Sequence, residues 1–233
     1  MGKAFLFYFF SQILCSQLDE FNVYNNVTLL HIQPENTVSL FYSNPYNIRG
    51  VHHSSISIND SSFYSKFAIH TFYFDRYKAT DIFFQKHFSL LPNVYSTLQM
   101  LYRNLWFKNY GTQEGFSYSA SFYITSFVDM YIGFTHLQKK DAFFTPSTEL
   151  LFQKKLGNTS VFYHLEYTQF GKTYMWKLQR KMGFGMVQFG IKSGTNIFFL
   201  GGDIHFKDFK FGCIYSSYEH LGTKLSFQIA LYY

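Results

Sequence analysis

The sequence predicts an all-β fold, a single antiparallel transmembrane β-barrel of roughly 12–14 strands. Three observations lead there. Aromatic residues make up 23% of the 233 positions, with 31 Phe and 20 Tyr. Such side chains suit strands and form girdles at both membrane interfaces. Charged residues are only 15% of the chain, against ~25% in ordinary domains. The dominant hydrophobic period from residue 51 onward is two, the signature of strands with two unlike faces. No run of about 18 apolar residues offers a helical span, and in lipid only helices and closed barrels satisfy every backbone polar group.

Residues 1–17 read as a secretory signal peptide. Lys3 supplies the positive start, Ala4-Phe5-Leu6-Phe7-Tyr8-Phe9-Phe10 the apolar stretch, and Cys15-Ser16-Gln17 a cleavage region. Small residues are missing before Cys15, which argues against a lipoprotein. Cleavage leaves Cys213 as a lone cysteine, so neither a disulfide framework nor a cysteine-based zinc site is expected. Residues 18–50 are polar and rich in turn formers, with Asn22, Asn25, Asn26, Asn36, Asn44 and Asn47 beside Pro34 and Pro45. They read as an N-terminal segment packing at or in the barrel mouth. Its Asn44-Pro45 turn is expected to lead into a first strand near Val51, because Pro45 has no N–H for a ladder.

Residues 51–233 form the expected barrel. In one run Phe116, Tyr118, Ala120, Phe122 and Ile124 alternate with Ser117, Ser119, Ser121, Tyr123 and Thr125. Val161, Tyr163, Leu165 and Tyr167 alternate with Phe162, His164, Glu166 and Thr168, and Val187, Phe189 and Ile191 with Gln188, Gly190 and Lys192. The closing run sets Leu225, Phe227, Ile229, Leu231 and Tyr233 on the lipid face, with Gly222 at its start. This strand is expected to pair with the first strand and carry the assembly signal. Runs of nine to eleven residues suit a tilted membrane crossing. Bulky residues on the inward faces, Tyr123, Tyr131, Phe162 and Phe199, predict a filled or narrow lumen.

The chemistry expected of such a lumen is structural. The net charge is +6, but the basic residues are scattered, without the dense stripe that nucleic-acid binding needs. No histidine stands at HExxH or CxxC-type metal spacing, and no phosphate loop is present. His164 and Glu166 share an inward face, as do Asp203 and His205, with Lys192 on the neighbouring strand. These five are expected to form a polar lumen network. Neither catalysis nor a cofactor is expected.

Two stretches carry a family resemblance. Ser39-Leu40-Phe41-Tyr42-Ser43-Asn44-Pro45-Tyr46 resembles the FYNPA element near the N-terminus of FadL-like and PorV-like outer-membrane proteins of Bacteroidota-type bacteria. The stretch from Gly201 to Lys210 resembles their penultimate hairpin, and Tyr218 to Phe227 their closing strand; Tyr46 and Lys224 depart from the family pattern. The resemblance implies a bacterial outer-membrane protein that transports a small apolar solute or serves a protein secretion complex. Its partners would be outer-membrane lipid, the barrel-assembly machinery, and either secretion subunits or that solute. His220-x-Gly222-x-x-Leu225-x-Phe227 also resembles the signal of mitochondrial barrels, which carry no N-terminal export segment. A soluble secreted β-sandwich that binds a ligand remains the alternative outside the membrane.

Overall fold

The computed structural model describes residues 36–44, 50–126, 128–137, 147–168, 171–193, 197–218 and 222–233. Among these residues fourteen strands follow in order: β1 (Thr37–Asn44), β2 (Val51–Asp60), β3 (Ser65–Phe74), β4 (Tyr77–Leu91), β5 (Val94–Phe107), β6 (Gly111–Ile124), β7 (Asp129–Leu137), β8 (Ser147–Leu156), β9 (Thr159–Thr168), β10 (Gly171–Met182), β11 (Gly185–Lys192), β12 (Ile197–Phe206), β13 (Phe209–Tyr218) and β14 (Gly222–Tyr232). Each pairs antiparallel with its neighbours in sequence, and β14 returns to β1, so the sheet closes on itself. The expected signal peptide, most of the expected mouth segment and Pro45 lie outside the described residues.

The barrel starts earlier than the sequence predicts. Residues 37–44 are not part of a mouth segment but are the first strand, and Asn44 ends that strand instead of leading into it. The closing strand therefore meets β1, with Ile229 opposite Leu40 and Phe227 opposite Tyr42, and not the strand that begins at Val51. β2 sits one place further round, between β1 and β3. The signal for β1 is weak for a physical reason. It is eight residues long, its inner face carries Thr37, Ser39, Phe41 and Ser43, and turn-forming Asn and Pro residues flank it.

Burial is inverted relative to a water-soluble protein. Ser43, Ser216 and Ser226 are at 0% exposure, whereas Leu40, Trp176 and Leu200 each expose more than half of their surface, at 54%, 56% and 54%. The inverted pattern runs round the described wall: Ile56, Phe84, Leu98, Phe122, Leu178 and Phe227 all point outward and are exposed. A contiguous apolar surface of this extent is stable only against an apolar solvent. The closed ladder leaves no polar sheet edge for that solvent to meet. A soluble sandwich would bury the faces that lie outside here.

Turns of two residues join several strands. Gly157 takes a positive φ of 61° between β8 and β9, and Asn93 one of 65° between β4 and β5. Glycine and asparagine tolerate that region, and it matches the twist of a tight hairpin.

A direct test of the faces follows. Phe227 and Ile229 point outward, while Gln228 between them points inward and is half-buried. Lysine at Phe227 or Ile229 should cost ~2–4 kcal/mol near the membrane midplane and lower the yield of assembled barrel. Lysine at Gln228 should be mild. Heat-modifiable gel migration of membrane extracts reads the result, and equal losses at all three positions would overturn the assignment.

Candidate functional site

The lumen is the concave surface the fold builds, and apolar side chains band its inner wall. Tyr123, Leu151, Phe162, Met175, Phe199 and Ile214 form one buried cluster, with Phe41 and Tyr95 packed against it. These eight residues come from eight strands, β1, β5, β6, β8, β9, β10, β12 and β13. They form an apolar band along the inner wall, and Tyr123, Phe162 and Phe199 are buried in it, at 2%, 3% and 0% exposure, as a narrow interior requires. The Tyr131 side chain lies outside the described part.

Phe199 is the centre of the cluster, at 0% exposure. It sits directly across from Gly190 on β11. A Cβ at Gly190 would run into the Phe199 ring. The glycine thus gives the ring a flat place to lie on the wall, which is why a residue that weakens strands appears mid-strand.

A second apolar cluster, Val51, Phe72, Tyr77, Ala79 and Leu105, lies on the β2–β5 wall, with Phe74 and Phe107 packed against it. It occupies the end of the barrel that carries the β1–β2, β3–β4 and β5–β6 connections. We call that the distal end. Asn36 and Tyr233 meet at the other, terminal end, where the Tyr233 N–H donates to the Asn36 carbonyl at 3.2 Å.

The polar lumen residues do not form the single network expected from the sequence. Asp203 lies near the terminal end and accepts from His205 Nε2 at 3.0 Å and from Lys210 Nζ at 3.1 Å. Lys192 is not its partner. Asp203 lies across from Met186, while Lys192 lies across from Ile197 near the distal end. Six residues of strand separate the two positions, about 20 Å at strand rise. His164 and Glu166 stay on one inward face of β9, where Thr173 Oγ1 donates to Glu166 at 3.3 Å. By register they lie beside Met175 and Thr173, toward the distal end and away from Asp203. Face alternation was legible in the sequence, but the stagger between β11 and β12 was not.

One feature of the lumen escaped sequence reading. Arg103 on β5 grips Asp81 on β4 in a two-pronged ion pair, Nε to Oδ1 at 2.7 Å and Nη2 to Oδ2 at 2.6 Å. Both side chains are buried, at 7% and 2% exposure. The available signal was a single charge in phase with apolar neighbours, Asp81 with Ala79, and Arg103 with Leu101 and Leu105. Beside this pair runs a ring ladder: Phe41 to His53 at 5.1 Å, His53 to His70 at 6.0 Å, and His70 to Phe83 at 4.7 Å. The ring nitrogens of His53 and the side-chain carbonyls of Gln153 and Gln188 are buried with no hydrogen-bond partner among the described residues. Buried polar atoms require partners, so this lumen suits water or a polar-tipped solute. Among the described residues no three His, Cys, Asp or Glu side chains gather as a metal site would require.

The comparisons agree with this architecture. No protein-family model matches the chain, and no curated protein matches it. Solved structures do. The outer-membrane protein Omp33 of Acinetobacter baumannii superposes with a TM-score of 0.58 at 8% identity, over 85% of this chain and 98% of that one. A deletion mutant of the monoaromatic hydrocarbon channel TodX gives 0.60 at 7% identity, over 85% and 90%. The fold is that of outer-membrane β-barrels. At such identities the likeness extends to the fold alone.

Proposed function

We propose that the protein is a channel of the bacterial outer membrane that passes a small, largely apolar solute through a gated lumen. It would be exported by the signal peptide of residues 1–17 and inserted by the barrel-assembly machinery. The observation that carries this reading is the apolar cluster around Phe199, which draws on eight strands of a closed barrel whose remaining lumen is lined with polar groups. A solute that crosses must exchange contacts with those rings, so an apolar body is favoured over a strongly hydrated one. The likeness to a hydrocarbon channel supports it, as does the resemblance of residues 39–46 and 201–227 to FadL-like and PorV-like proteins. An even strand number with antiparallel closure supports a bacterial over a mitochondrial barrel.

The filled lumen also favours a second reading, a barrel that serves a secretion complex and conducts nothing. Conductance separates the two. Phe199→Ala should widen the constriction and raise unitary conductance several-fold in planar bilayers, with heat-modifiable migration retained. If neither the parent chain nor the variant conducts, the channel reading fails and the secretion reading stands.

A further inference from the structure

We propose that the lumen selects solutes that join a flat apolar body to an anionic group, with aromatic carboxylates as the plainest class. The proposal deepens the channel reading above and rests on it.

The first observation is the sign of the lumen. Among the described residues, the cations that point inward and are not exposed are Lys66, Arg103, Lys177, Lys192, Lys210 and Lys224. The carboxylates that do so are Asp81, Asp203 and Glu166. Arg103 is neutralised by Asp81, and Lys210 and His205 share Asp203. Among the described side chains the inward charge is thus positive, six cations against three carboxylates, and low-dielectric walls focus such a field on whatever enters.

The second observation is where the positive charge sits relative to the rings. Lys177 Nζ lies 4.2 Å from the centroid of the Phe162 ring. Lys177 is directly across from Phe162 on one side and from Gly190, the bed of Phe199, on the other. Lys192 lies across from Met175, a member of the same cluster, and His164 flanks Met175 from β9. The β9–β11 wall therefore sets ammonium groups among the apolar side chains that a solute's ring must touch. A ring stacked in place of Phe199 or against Phe162 would point a carboxylate at Lys177 or Lys192. Coulomb attraction is stronger between buried groups than in bulk water, and a charge-assisted contact is about twice as strong as a neutral one. A neutral ring of the same shape gains only the apolar part, and an ammonium-bearing ring meets like charge.

The test uses the purified full-length protein in planar bilayers, with benzoate, its neutral counterpart benzamide, and benzylammonium as probes. A KCl gradient should give a reversal potential of the sign that marks chloride as the favoured ion. Benzoate should block the current reversibly at lower concentration than benzamide, and benzylammonium should block least. The double variant Lys177→Gln/Lys192→Gln should weaken benzoate block about tenfold, the size of one charge-assisted contact, and leave benzamide block unchanged. Lys192→Gln alone should give a smaller shift in the same direction, which guards against a folding defect in the double variant. Retained heat-modifiable migration confirms assembly. Equal block by benzoate and benzamide, potassium selectivity, or an unchanged benzoate response in both variants would overturn the anion preference and leave the channel reading standing. Absence of current in both the parent chain and Phe199→Ala would remove both.

Discussion

Deletion of residues 229–233 is expected to abolish barrel assembly and send the chain to degradation. The removed residues supply half of the seam that closes the barrel, since Ile229, Ala230, Leu231 and Tyr232 pair with Leu40, Ser39, Val38 and Thr37. They also pair on their other side with Phe211, Lys210 and Phe209 of β13. A truncated β14 would leave the first half of β1 without a ladder on that side. Each backbone group so stranded in hydrocarbon costs several kcal/mol, and the loss cannot be recovered by water at mid-membrane. The termini-end contact of Tyr233 with Asn36 disappears as well. Substitutions that keep the backbone, such as Leu231→Ala, should be far milder, because they remove lipid-facing side chains and spare the seam. Cell fractionation with heat-modifiable migration and protease accessibility is the measurement. A truncated chain that still inserts and migrates as a folded barrel would show that the seam closes without these pairs.

The same seam marks the limit of what the sequence disclosed. That a closing strand existed was legible in the strict alternation of Leu225, Phe227, Ile229 and Leu231, because lipid and lumen impose opposite polarity on neighbouring positions. Its partner was not legible. β1 alternates Val38, Leu40 and Tyr42 with Ser39, Phe41 and Ser43, so Phe41 breaks the polar inner series. That break exists because Phe41 packs against the luminal cluster. Apolar residues that pack inside the lumen blur the periodicity by which strands are read. Registers were hidden for a different reason: a shift of two residues leaves every face unchanged and still moves Lys192 away from Asp203. Faces are a local property of each strand, whereas ion pairs depend on stagger between strands, which only the assembled ladder specifies.

Asp81→Asn is expected to destabilise the barrel by about 3–5 kcal/mol, the range for breaking a buried ion pair from one side. The asymmetry of its surroundings makes the prediction sharper. Asp81 lies between two neighbours, across from Arg103 on β5 and from His70 on β3. Removing the carboxylate leaves the Arg103 guanidinium buried with no bidentate partner, and arginine cannot shed its proton to escape the penalty. Arg103→Gln leaves the opposite charge, but a carboxylate, unlike a guanidinium, is a group that can be neutralised. Arg103→Gln should therefore cost less than Asp81→Asn. The apolar double replacement Asp81→Leu/Arg103→Met removes both charges and should lie closer to the parent chain than Asp81→Asn does. Denaturant unfolding in lipid vesicles, followed by the fluorescence of Trp106 and Trp176, gives the four stabilities of a double-mutant cycle for the parent, Asp81→Asn, Arg103→Gln and Asp81→Asn/Arg103→Gln. A coupling energy near zero, or an Arg103→Gln cost as large as that of Asp81→Asn, would show that Asp81 is held by groups other than Arg103.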